Sequence, residues 1–293
     1  MADEKKELTN QEKSLIHRLH PEYSYYSGPK QIYGPVYYVG DNTVSAHLID
    51  TGDGLILIDS LYPPSVHVLI QQIWEAGFDP ADIRYIVHTH GHLDHFGGTK
   101  PLVDMFGCRT FMGAVDADLM ENGSPITMLK VDCYPPLSET RLFKVDERLQ
   151  DGDVVELGNI RIEAVFCPGH TPGNMSYFFT ADGEQGPMKI GINSGGGNTT
   201  VAYDVLDRLG QPHSLRDDFL ASARKMMDRE VDIALGTHPF IGDTIGRLKR
   251  LHESGGENPF IDPSLWRRMM EDAVRSFENM AAREAKGEKL WCW

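Results

Sequence analysis

The chain has 293 residues, 41% of them hydrophobic and 24% charged, with a formal net charge of −15. A chain of this size and composition can bury roughly 75% of its unfolded surface and needs no disulfide staples. The acidic balance argues against duplex nucleic acid and anionic membranes as partners, and no window approaches about 18 consecutive apolar residues, so a spanning helix is excluded.

In chain order, Met1 to Glu7 has no apolar stretch of the kind a secretory signal needs. Residues 1–30 are expected to be an N-terminal extension. Gln31-Ile32-Tyr33 and Val36 to Val39 are aromatic and β-branched and predict strands, with Gly34-Pro35 as a break. Asn42-Thr43 turns into a further strand over Val44–Ile49. Gly52-Asp53-Gly54 then turns into Leu55-Ile56-Leu57-Ile58, apolar throughout, as a strand buried on both faces would be. Pro63-Pro64-Ser65 opens a helix with Val66, Leu69, Ile70, Ile73 and Trp74 at helical spacing, ending at Gly77. Asp82 to Val87 is the next strand. After Gly97-Gly98 come a helix through Phe106, a short strand Thr110–Met112 and a helix Ala114–Glu121.

Residues 122–142 carry three prolines and no period, which predicts a long functional loop. Strands are predicted from Val154 to Phe166, turning at Gly158-Asn159, then over Met175–Thr180, Met188–Ile192 and Val231–Leu235. Ser214 is placed to cap the helix that follows it, and helices are expected near 244–252 and 263–286. Strands followed by helices occur twice, in two halves. The main domain is expected over 31–260, and 261–293 as a C-terminal helical extension that covers the fold or pairs subunits in a homo-oligomer. Cys108, Cys133, Cys167 and Cys292 show no CxxC spacing and predict reduced thiols in a cytoplasmic protein.

Of twelve histidines, His88, His90, His92 and His95 fall inside eight residues. The segment Thr89-His90-Gly91-His92-Leu93-Asp94-His95 sets three imidazoles and a carboxylate at the end of a strand. Zinc takes imidazole nitrogen and carboxylate oxygen at about 2.0–2.2 Å. Small Gly91 allows a tight bend, and His88 is expected to be a packed strand residue. His170, in Cys167-Pro168-Gly169-His170-Thr171-Pro172-Gly173, and His238, in Gly236-Thr237-His238-Pro239, each follow a strand, where sites of α/β folds gather.

These residues, His90-x-His92-x-Asp94-His95, then Pro-Gly-His170-Thr-Pro-Gly, then Thr-His238-Pro, resemble the metallo-β-lactamase superfamily over about residues 30–255. The resemblance implies an αβ/βα four-layer sandwich and two zinc ions. It gives His90, His92 and His170 to the first and Asp94, His95 and His238 to the second. Glyoxalase II, lactonase and ribonuclease Z relatives carry a bridging Asp where this chain reads Ile190-Gly191-Ile192-Asn193-Ser194-Gly195. The pattern is therefore most similar to the six-ligand β-lactamase subclass. Flavodiiron relatives have Glu where His92 stands, which disfavours a redox di-iron site.

Two such cations lower the pKa of bound water toward 7, and the hydroxide attacks a polarised carbonyl. Asp94 is both ligand and candidate base, and Asp59 is expected to hold an imidazole in place. Ser194, Asn198, Tyr62 and Phe96 are the expected substrate contacts, with Tyr134 a further cleft residue. The expectation is a zinc hydrolase of a small ester, amide or lactone. The alternatives are a β-lactamase, which the missing signal weakens, and a non-enzymatic metal-binding module, which the intact ligand spacing disfavours.

Overall fold

The computed structural model describes residues 20–127, 141–195, 197–254 and 257–290. Seven strands form the first sheet, in spatial and chain order: β1 (Gln31–Tyr33), β2 (Val36–Tyr38), β3 (His47–Asp50), β4 (Leu55–Ile58), β5 (Ile83–Val87), β6 (Arg109–Gly113) and β7 (Glu147–Leu149). The second sheet comprises β8 (Val154–Leu157), β9 (Ile160–Phe166), β10 (Met175–Gly183), β11 (Gly186–Asn193) and β12 (Ile233–Gly236), in the order β12-β11-β10-β9-β8. Pairing is antiparallel from β1 to β4 and parallel from β4 to β7; β11 and β12 are also parallel.

Side-chain alternation makes the layers. In β3 and β4, Ile49, Ile56 and Ile58 turn toward the second sheet and meet Ile162, Tyr177, Ile190 and Ile233. Leu48, Leu55 and Leu57 turn the other way, onto Leu69 and Ile73 of α1 (Val66–Glu75) and Leu102 of α3 (Thr99–Phe106), with the single turn α2 (Leu93–Phe96) between those helices. The apolar β4 is buried on both faces as its sequence predicts. On the far side, Val165, Phe178 and Ala234 pack against Met226 of α6 (Leu215–Met227) and Trp266, Met269 and Met270 of α8 (Leu265–Glu284). Helix, sheet, sheet, helix is the expected four-layer sandwich. Further helices are α4 (Ala114–Glu121), α5 (Tyr203–Leu209) and α7 (Thr244–Ser254).

Several local expectations are corrected. The strand expected over Val44–Ile49 starts only at His47, because Val44 and Ser45 close other contacts: Asp41 N–H donates to Val44 O and Ser45 N–H to Thr237 O. Pro63–Ser65 forms a 3-10 turn ahead of α1. Ser214 stands at the start of α6, but its side chain makes no capping bond. Short β7 and α5 were not expected. Of the two roles foreseen for the C-terminal helix, covering the fold is the one seen: Trp266 is wholly buried and its Nε1–H donates to Met226 O at 2.8 Å. Among the described residues, no helix is long and apolar enough to cross a membrane. Cys108 and Cys167 are buried and free; Cys133, Cys292, Tyr134 and most of the 122–142 loop lie outside the described residues.

Candidate metal centre

The segments that follow β4, β5, β9, β11 and β12 reach one edge of the sandwich and carry Asp59, His88–His95, His170, Ser194 and His238. There the six predicted ligands come together as two sets of three, His90, His92 and His170, and Asp94, His95 and His238. Within each set the donor atoms all lie within 4.8 Å of one another. The sets adjoin, since the His90 and His95 ring centroids are 4.1 Å apart.

Four of the five rings are held from behind through Nδ1. His90 Nδ1 lies 3.0 Å from Thr89 Oγ1, whose own hydroxyl donates to Asp59 Oδ2 at 2.7 Å. His95 Nδ1 donates to the same Asp59 Oδ2 at 2.8 Å. His170 Nδ1 donates to Gly197 O at 2.7 Å, and His238 Nδ1 to Thr43 O at 2.8 Å. An oxygen acceptor demands the proton on Nδ1, which leaves Nε2 as a lone pair facing into the site. Asp59, expected as the carboxylate behind the ligands, thus orients two of them. Its backbone adopts φ +61, an unusual conformation for a non-glycine residue that stays where its surroundings enforce it.

The residues present fit a metal. Nε2 of His90, His92 and His95 is buried without any hydrogen-bond partner, a costly state for a polar atom that an ion relieves. Asp94 Oδ2 sits 3.3 Å from His95 Nε2 and 3.7 Å from His238 Nε2, in contact but without hydrogen-bond geometry at His95. That is the arrangement of donors aimed at a shared point.

The electrostatics differ between the two sets. Burial holds His90 and His92 well below the usual imidazole range and brings His170 down to about 4, so this set is neutral at pH 7, as ligands must be. Burial works against charge on His95 too, but Asp94 and Asp59 on either side outweigh it and push it up to about 10, so the second proton on this ring is one that a bound metal displaces. Burial opposes ionisation of Asp94; the neighbouring His95, His238 and His92 overcome it and hold the carboxyl well below its ordinary range.

Sequence reasoning missed Asp116, at the start of α4. Fully buried, it accepts from Gly91 N–H (2.7 Å) and Thr171 Oγ1–H (2.6 Å) on one oxygen and from Gly173 N–H (2.6 Å) on the other. One carboxylate therefore ties the His90–His92 loop to the His170 loop. Burial pushes it up to about 6 against the pull of those three donors. Gly91 leaves room for this carboxylate, since a Cβ there would stand only 3.2 Å from Asp116 Cβ. At Gly173 a Cβ would stand 2.2 Å from Asp116 N. A lone Asp after a strand carries no sequence signal for such a role.

The expected substrate contacts fare less well. Ser194 is buried, with Oγ 2.6 Å from Asn174 Oδ1 and 2.9 Å from Thr89 O, so its hydroxyl braces the ligand loop instead of facing a cleft. Phe96 is wholly buried among Leu93, Met112, Ala117 and Met120, and is core. Asn198 is half-buried, its Nδ2 donating to Ser276 Oγ of α8 at 3.0 Å. Tyr62 is half-buried where two apolar clusters meet. His88 is packed as expected, its ring nitrogens 2.8 Å from Phe111 O and 2.7 Å from Thr99 Oγ1.

Comparison with known proteins points the same way. The model of the metallo-β-lactamase superfamily matches residues 39–183. A subclass B3 metallo-β-lactamase of Bradyrhizobium japonicum superposes with a TM-score of 0.80 at 28% identity, covering 90% of this chain and 97% of that one. A metallo-β-lactamase of Cronobacter sakazakii gives 0.76 at 27% identity, over 91% and 93%. A hydroxyacylglutathione hydrolase of Buchnera aphidicola is 26% identical over 140 residues, 48% of this chain and 44% of the relative. The chain spans less than half the length of such curated relatives. With four layers, one shared edge and two convergent donor sets, the chain carries a metallo-β-lactamase superfamily domain, matched over residues 39–183.

Proposed function

We propose that the chain is a zinc-dependent hydrolase that uses two metal ions to cleave a small carbonyl substrate: an ester, amide or lactone. One observation carries this reading: six side chains converge as two donor sets, with buried Nε2 atoms in both that no protein group satisfies. Bound zinc supplies a hydroxide nucleophile near neutral pH and polarises the carbonyl.

The chain's own groups do the positioning. Asp94, kept ionised between His95 and His238, is placed to accept a hydrogen bond from the attacking oxygen and orient it. Asp59 fixes the rings of His95 and, through Thr89, His90. Of the expected substrate contacts, Tyr62 and Asn198 keep exposed surface and stay part of this reading. The two buried free thiols suit a cytoplasmic setting.

A β-lactamase is the second reading. It is favoured by the subclass B3 enzyme and the further metallo-β-lactamase that each match nine tenths of the chain, and by the absence of a bridging Asp at Asn193-Ser194. A panel of an ester, a lactone and nitrocefin offered to the zinc-loaded chain separates the cases. Ester or lactone turnover without nitrocefin cleavage supports the first reading, and nitrocefin cleavage the second. No turnover on any of them overturns both and leaves a metal-binding module.

A further inference from the structure

Phe240 is the most exposed large apolar side chain among the described residues, at 75%. It stands two residues beyond His238, and its ring lies nearly parallel to that imidazole, 5.3 Å between centroids and 17° between planes. The turn that presents it is rigid. Ile241 N–H donates to His238 O at 2.9 Å, Thr244 N–H donates to Pro239 O at 2.9 Å, and Ile241 packs into the cluster around Trp266. His238 is itself pinned to Thr43 O. One face of the Phe240 ring is thus set against a residue of the second donor set while most of the ring is open to water.

We propose that Phe240 is an aromatic subsite at the mouth of the centre, and that it selects substrates carrying a planar aryl group next to the scissile carbonyl. A phenyl ring offers no donor or acceptor, so what it recognises is apolar. Its stack on His238 leaves an outer face to which a second ring adds in offset fashion. Because the turn is already ordered, little freedom is lost when a ligand covers it. The inference rests on the hydrolase reading for its substrate, but not for its binding surface.

Phe240→Ala and Phe240→Trp are made in the full chain, zinc content is measured for each, and kcat/KM is compared for a phenylacetyl and an acetyl ester of the same alcohol. The ratio of the two is insensitive to a uniform loss of activity. It is expected to fall about tenfold in Phe240→Ala, mainly through KM, and to stay within about twofold of the parent in Phe240→Trp. An unchanged ratio in Phe240→Ala overturns the subsite. If the parent chain cleaves neither ester, ester hydrolysis is ruled out, and calorimetry with phenylacetate and acetate decides the subsite alone. Phenylacetate must then bind the parent more tightly than acetate and lose that advantage in Phe240→Ala; equal binding of the two acids overturns it.

Discussion

At the scale of single residues, the centre is organised by groups that would touch no substrate. Asp116 joins two ligand loops that are far apart in the chain, and it satisfies three buried donors at once. Its replacement by Ala strands those donors, so Asp116→Ala is expected to lower stability by about 3 kcal/mol in urea unfolding. A loss below about 1 kcal/mol would show that the loops hold themselves. His170→Ala removes one donor of a three-residue set and is expected to lower zinc stoichiometry and abolish hydrolysis; unchanged turnover would contradict its assignment. The ligands were legible because four of them sit within six residues and the other two in short Gly- and Pro-framed turns. Asp116, Ser194 and Phe96 were misread or missed for the opposite reason. Their partners, Gly173, Thr89 and Phe143 among them, are brought close only by the fold.

At the scale of elements, periodicity worked where burial is one-sided or complete. The run Leu55–Ile58 and the amphipathic α1 came out as expected, since each shows its environment in its own sequence. β7 did not, because its three residues include Glu147 and Arg148 and take their strand geometry from pairing with β6. α8 is where the second sheet gains its outer cover. Trp266→Ala opens a large cavity under Phe178 and removes the indole N–H bond to the Met226 carbonyl, so a loss of about 3–5 kcal/mol is expected in the same unfolding measurement. A loss below about 1 kcal/mol would mean that the helix adds little to the sandwich.

At the scale of the whole molecule, two sheets meet face to face and deliver the loops after their strands to one edge. Beneath that edge lies His47 of β3, buried with Nε2 unpartnered. Burial brings it down to about 4, with Asp59 pulling upward and Arg247 pushing down. The unfolded chain, with an ordinary imidazole near about 6.5, binds the extra proton first, so stability drains away as pH falls from about 6.5 toward 4. His47→Leu is expected to flatten that acid limb, with up to about 3 kcal/mol less loss at pH 4 than in the parent. An identical acid limb in both proteins would contradict this.

Two zinc ions held at this edge in separate donor sets are what the proposed hydrolase requires, and elemental analysis of the parent, His170→Ala and His238→Ala chains counts them. Two ions per parent chain and about one per chain in each variant are expected, with the remaining ion in the set left intact. A parent chain that binds no zinc, or variants that keep both ions, would contradict it.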